Sequence, residues 1–145
     1  MGLFNLFKKD LSKDPDLTRL RDLIIISASD SNYSLDENKI ILDICRHEGI
    51  SINKLQKLFK INPETIKDNY PTSLVEKSQY LRRLIEVMTT DKVCHHDEID
   101  AVFNISRKLG FIDEQTDAEI RDYCRSLGKN GALVLESYES NRKKR

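Results

Sequence analysis

The sequence predicts an all-α protein, a compact bundle of about seven helices built from two pseudo-symmetric helical repeats. Three observations support this. The apolar residues recur at helical rather than alternating spacing. The five glycines and three prolines fall mostly where helices should begin or stop. The chain also repeats itself: with a shift of 61, Leu23 to Gly49 meets Leu84 to Gly110, and Leu23/Leu84, Ile24/Ile85, Asp30/Asp91, Asp36/Asp97, Glu37/Glu98, Ile44/Ile105, Arg46/Arg107 and Gly49/Gly110 coincide. Average composition gives roughly two identities by chance over such a stretch, so eight point to a duplicated unit.

The elements follow from their caps. Asp14-Pro15 is an N-cap followed by proline at the first helical position, and the helix it opens carries Leu17, Leu20, Leu23, Ile24 and Ala28 on one stripe before ending near Ser29. Ser34 and Glu37 form a Ser-x-x-Glu capping box. The helix after it turns Ile40, Ile41, Ile44 and Cys45 inward, and Gly49 closes it, with Ile50 as the apolar residue beyond the cap. A shorter helix from Ser51 is expected to bury Ile52, Leu55, Leu58 and Phe59. Asn62-Pro63 opens a brief one that stops before Tyr70-Pro71.

The second unit starts at Thr72 or Ser73 with a long helix through Tyr80, Leu81, Leu84, Ile85 and Met88. An acidic loop recurs at Asp91. The next helix begins at about His95, buries Ile99, Val102, Phe103 and Ser106, and closes at Gly110, with Phe111 in the role of Ile50. A further helix carries Ile120, Tyr123, Cys124 and Leu127 to Gly128. Within Lys129 to Arg145, Ala132 to Leu135 are apolar enough to dock on the core, while Asn141 to Arg145 should be loose and solvated. The organisation read from this is an N-terminal arm over 1–13, one helical domain over 14–128 with repeats at about 14–70 and 72–128, and a C-terminal extension with a basic tail over 129–145.

At 145 residues the chain can bury about two thirds of its unfolded surface without a staple. Lysine plus arginine equals aspartate plus glutamate at 24 each, so the net field offers no general attraction to nucleic acid. The cysteines, Cys45, Cys94 and Cys124, are odd in number and widely spaced, nothing reads as a secretory leader, and a reducing cytoplasm is expected. The apolar run Leu23 to Ile26, which no other exceeds, is far below the 18 or so residues that span a bilayer.

The acidic loops invite a metal hypothesis. If a pseudo-two-fold axis relates the copies, Asp30, Asp36 and Glu37 approach Asp91, Asp97 and Glu98 and present the hard oxygen ligands that Ca²⁺ or Mg²⁺ prefers. A purely structural account competes with it. Asp side chains accept backbone N–H groups two residues on, and Ser34, Glu37, His95 and Glu98 sit where helix caps belong, as Gly49 and Gly110 do at the other ends. Cys94-His95-His96-Asp97-Glu98 contains zinc-ligand types, but adjacent residues seldom converge on one tetrahedral ion, and no C-x₂₋₄-C or H-x₃₋₅-H spacing occurs. The N-terminal Leu3, Phe4, Leu6 and Phe7 with Lys8 and Lys9 form a short apolar and basic arm. It is suited to folding back, to docking on a partner, or less readily to peripheral membrane contact. The myristoylation pattern fails at Leu6.

At the acidic loop and capping box, preceded by an apolar helix and followed by Ile40, Ile41, Ile44 and Gly49, the chain resembles the tellurite-resistance TerB-like family. In that family an Asp-Gly-x-Ile-Ser-x-x-Glu-like turn joins two helices. Asp30, Tyr33, Ser34 and Glu37 match the first turn and Asp91, Cys94 and Glu98 its echo, while Ser31 and Lys92 stand where glycine is usual and His95 where Ser or Thr is usual. The resemblance spans roughly Leu17 to Leu127. It implies a helical domain of two pseudo-symmetric halves associated with bacterial stress resistance, with a suggested cation-binding acidic surface and no settled catalytic activity.

No matched nucleophile and base, and no phosphate loop, stands out in the sequence. The expected function is therefore a non-enzymatic cytoplasmic interaction or adaptor domain that binds protein partners. The alternative is a divalent-cation-binding regulatory domain using the two acidic loops.

Overall fold

Burial on nearly every side sets the first helix apart and makes it the axis of the bundle. The computed structural model describes residues 14–28, 35–60, 65–90 and 92–142. Among them are seven helices and no strand: α1 Pro15–Ala28, α2 Leu35–Glu48, α3 Ile52–Lys60, α4 Leu74–Met88, α5 His96–Leu109, α6 Asp113–Ser126 and α7 Lys129–Arg142. Asn62-Pro63, where a brief helix is expected to open, and the N-terminal arm lie outside the described residues, as do the acidic turns around Asp30 and at Asp91, while residues 66–70, over which that helix is expected to run, are not helical.

Helix α1 starts as its cap predicts, with Asp14 Oδ1 accepting the Asp16 N–H at 2.9 Å. Leu17, Leu20, Leu23 and Ile26 are fully buried, each contributing about 1.5–3 kcal/mol of apolar transfer. Thr18, Arg21, Asp22 and Ser27 are buried too. A single apolar stripe therefore understates this helix, because α2, α3, α4 and α5 all pack against it. Helix α4 is the second axis, with Tyr80, Leu81, Leu84, Ile85, Val87 and Met88 buried, Ser73 as its N-cap, and contacts to α1, α2, α5 and α6.

Three pairs of helix ends keep the shift of 61, while α1 and α4 begin 59 and end 60 residues apart. Helices α2 and α5 begin 61 residues apart, at Leu35 and His96, and end 61 apart, at Glu48 and Leu109; α3 and α6 start 61 apart, at Ile52 and Asp113. Gly49 and Gly110 both take positive φ, +73° and +102°. Beyond each, the next residue donates back to the final turn: Ile50 N–H to the Cys45 carbonyl at 2.8 Å and Phe111 N–H to the Ser106 carbonyl at 3.1 Å. These are matching left-handed caps with a 6→1 bond.

Three further expectations change. Ile52 is 49% exposed rather than buried, because it opens α3 one turn before Leu55, and the residue drawn onto α1 is Lys54, held by Asp14 at 2.9 Å and Asp16 at 2.8 Å. Leu127 is also partly exposed, at 38%. The extension after Gly128 is the helix α7, ordered through Arg142 rather than loose from Asn141, with Val134 and Tyr138 buried against α5 and α6. Asn141 Nδ2 donates to the Cys94 carbonyl at 2.7 Å, and the Arg142 guanidinium lies 5.1 Å from the Phe103 ring. No described helix is long and apolar enough to cross a membrane.

Candidate functional site

The sequence-predicted site residues separate. Asp30, Asp91 and Ser34 lie outside the described residues, as do Leu3, Phe4 and Phe7. Asp36 and Glu37 occupy the first turn of α2, but their side chains are not described. Asp97 is exposed on the first turn of α5, and Glu98 beside it is fully buried, its Oε1 accepting the His95 N–H at 3.1 Å. His95 is the N-cap of α5 in extended backbone conformation. Glu98 thus has a capping task that accounts for its place.

What the structure assembles at this end of α5 is a different trio. One donor atom each from His96, Asp97 and Asp100 lies within 4.8 Å of the others. His96 Nε2 stands 3.3 Å from Asp100 Oδ2, one helical turn on, and His96 Nδ1 stands 3.4 Å from the Asn141 carbonyl oxygen of α7. The loop before α5 is pinned by the same helix, since Cys94 N–H donates to Ser137 Oγ at 2.9 Å and Asn141 holds the Cys94 carbonyl. Asp100 was missed from sequence, although the His96/Asp100 spacing of four was visible there.

A second polar centre, on Asp22, was also missed. Its side chain is 2% exposed and accepts from the Tyr80 hydroxyl at 2.6 Å, the Tyr70 hydroxyl at 2.8 Å, and Arg21 Nε and NH2 at 3.2 and 3.1 Å. Arg21 also donates to the Ile66 carbonyl at 2.8 Å and to Asp68 at 2.7 Å. Burial raises the Asp22 pKa above the ordinary carboxylate value, against the pull of the Tyr80, Arg21 and Tyr70 contacts. Both tyrosines are shifted up, by burial and by the neighbouring Asp22 charge, which keeps them protonated donors and unsuited to act as bases.

Tyr80 is the floor of a cleft of about 430 Å³, whose walls are Arg19, Glu48, Pro71, Glu76, Gln79 and Arg83. Its hydroxyl points away, toward Asp22, so the cleft meets the ring, over which Arg19 lies 6.0 Å from the centroid. Arg19 and Arg83 both pair with Glu48, Arg83 Nε at 3.1 Å. The two cations of the cleft are thus held by one carboxylate of the same wall, Glu48. No family model matches this chain, and neither curated proteins nor solved structures show a significant match to it.

Beside this cleft the chain leaves apolar surface in water. Leu74 and Val75, the first two residues of α4, are 70% and 68% exposed and directly precede Glu76 of the cleft wall. Nothing in the capping of α4 requires large apolar side chains there, since Ser73 and Glu76 supply the cap.

A third polar cluster locks the C-terminal helix. Asp117 of α6 accepts from the Tyr138 hydroxyl at 2.6 Å, from Arg121 at 3.0 Å and from Arg142. Burial alone would raise the Asp117 pKa, but the Tyr138 and Arg121 hydrogen bonds and the Arg142 charge outweigh it and hold it below the usual value.

Proposed function

We propose that this chain is a non-enzymatic helical interaction or adaptor domain of the tellurite-resistance TerB-like kind, built from two pseudo-symmetric repeats and working in the cytoplasm. The observation that carries the interaction reading is the exposed Leu74-Val75 pair directly preceding Glu76 of the Arg19/Glu48/Arg83 cleft. Adjacent large apolar side chains left in water beside a cleft of fixed ion pairs suit a partner that covers the first and hydrogen-bonds to the second.

The repeat is supported by the helix boundaries and by the packing: α1 meets α2, α3 and α5, and α4 meets α5, α6 and α2, a set that maps onto itself when the two units are exchanged. The TerB-like turn is supported by Lys92, which takes φ +66° where that family's turn carries glycine. The cytoplasmic placement is supported by three free, buried cysteines. Of the carboxylates in the alternative, cation-binding reading, Asp97 has an exposed side chain and Glu98 serves the cap of α5.

The test compares the tagged wild-type chain with a Leu74→Glu/Val75→Glu double variant in cross-linking and pull-down under stress in the native cell. The reading expects a discrete partner held by the wild type and lost by the variant, with the melting temperature unchanged. No partner, or equal capture by both, overturns it.

A further inference from the structure

We infer that His96, Asp97 and Asp100 form a surface site for a divalent transition ion of the Zn²⁺ class, organised by the C-terminal helix. The inference is independent of the adaptor reading. It starts from the two faces of one imidazole. Nδ1 of His96 faces the Asn141 carbonyl oxygen at 3.4 Å. Nε2 faces Asp100 Oδ2 at 3.3 Å. With Nδ1 turned to that carbonyl, Nε2 is the ring atom placed beside the carboxylates of Asp97 and Asp100.

The geometry suits the metal. Ligands at about 2.0–2.1 Å from a tetrahedral Zn²⁺ stand about 3.3 Å apart, the separation already present between His96 Nε2 and Asp100 Oδ2. Asp97 is within 4.8 Å and exposed, so rotation of its side chain supplies a third donor. An imidazole with two carboxylates and a remaining open position favours Zn²⁺ over Ca²⁺ or Mg²⁺, which take all-oxygen sets. The two carboxylate charges outweigh the partial positive charge at the start of α5.

The independent support comes from outside the trio. A ligand histidine is normally oriented by a backbone carbonyl or carboxylate on its other nitrogen, and here that carbonyl belongs to Asn141. Asn141 is itself fixed, because its side chain holds the Cys94 carbonyl while Ser137 holds the Cys94 N–H. Helix α7 therefore sets both the imidazole and the turn that presents Asp97, as a preorganised site requires.

Isothermal titration of the full chain with ZnCl₂ at neutral pH, together with Co²⁺ absorption spectra, tests this. One ion per chain is expected, with His96→Gln and Asp100→Asn each weakening binding at least about tenfold. His47→Gln, an exposed histidine elsewhere, should bind as the wild type does, and circular dichroism should show every variant folded. Absence of heat and of a Co²⁺ ligand-field band at sub-millimolar metal overturns the site, as does undiminished binding by His96→Gln.

Discussion

A methyl group on Gly131 would stand 1.7 Å from the Cys124 carbonyl oxygen, so the start of α7 lies directly on the backbone at the end of α6. Gly131 is helical, and its hydrogen is what permits the approach. Gly131→Ala should therefore force the two helices apart and cost about 2–4 kcal/mol in urea unfolding. Gly49→Ala meets no atom within 4 Å and should cost only about 1 kcal/mol, for its positive φ. Equal losses in the two variants would contradict the close approach.

Asp22 gathers two hydroxyls and a guanidinium, and its removal should expose how much of the bundle depends on that meeting. Asp22→Asn replaces one acceptor oxygen by a donor facing buried donors, and about 3 kcal/mol of stability should be lost. Tyr80→Phe deletes one bond and leaves Tyr70 and Arg21 in place, so about 1–2 kcal/mol is expected. Chemical denaturation ranks them, and a larger loss for Tyr80→Phe would refute the assignment.

Acid should loosen the α6–α7 contact through Asp117. Its folded pKa is lowered relative to the ordinary 3.8, so the folded state binds the proton less readily than the unfolded one. That stabilisation is complete above the ordinary value and disappears as pH falls through the folded one. Asp68, lowered through Arg21 and Lys108 against the effect of burial, adds in the same direction, while Asp22, raised, acts in the opposite one. Denaturation measured from about pH 7 to about pH 3 should show a shallower acid loss in Asp117→Asn than in the wild type. An unchanged slope would remove Asp117 from the account.

Lys92 holds φ +66°, a conformation that costs an L-residue about 1 kcal/mol or more. Lys92→Gly should accordingly stabilise the protein, by about 0.5–1 kcal/mol after the added chain entropy of glycine is subtracted. Thermal melting decides it, and a lower melting temperature would show that the lysine side chain supports the turn.

The local features were legible because their causes are local. Asp14-Pro15, Ser73, Gly49 and Gly110 act within one turn of themselves, and spacing alone places them. Arg21 and Asp22 were not legible, because charged residues in a helix read as its wet face. Here the bonds that let them be buried come from Ile66, Asp68, Tyr70 and Tyr80, on chain brought in from far along the sequence. Helix α7 was ambiguous for the same reason: its anchors, Val134 and Tyr138, are few, and the carboxylate that receives Tyr138 lies 21 residues away. The His96/Asp100 pair was written in the spacing, but the Asn141 carbonyl that orients the imidazole belongs to a helix that spacing did not place.

The segment between α3 and α4 illustrates what such long-range bonding does to motion. Residues 66–70 lie outside the seven helices, yet Arg21 grips the Ile66 carbonyl and Asp68, Thr18 accepts from the Asn69 N–H at 3.2 Å and donates to the Lys67 carbonyl at 2.9 Å, and Tyr70 reaches Asp22. Its anchors sit on the most deeply buried helix, so it cannot open without disturbing the core. In native-state hydrogen exchange the Asn69 amide should behave as part of the slowest-opening unit, exchanging with global unfolding while the ends of the surrounding helices fray.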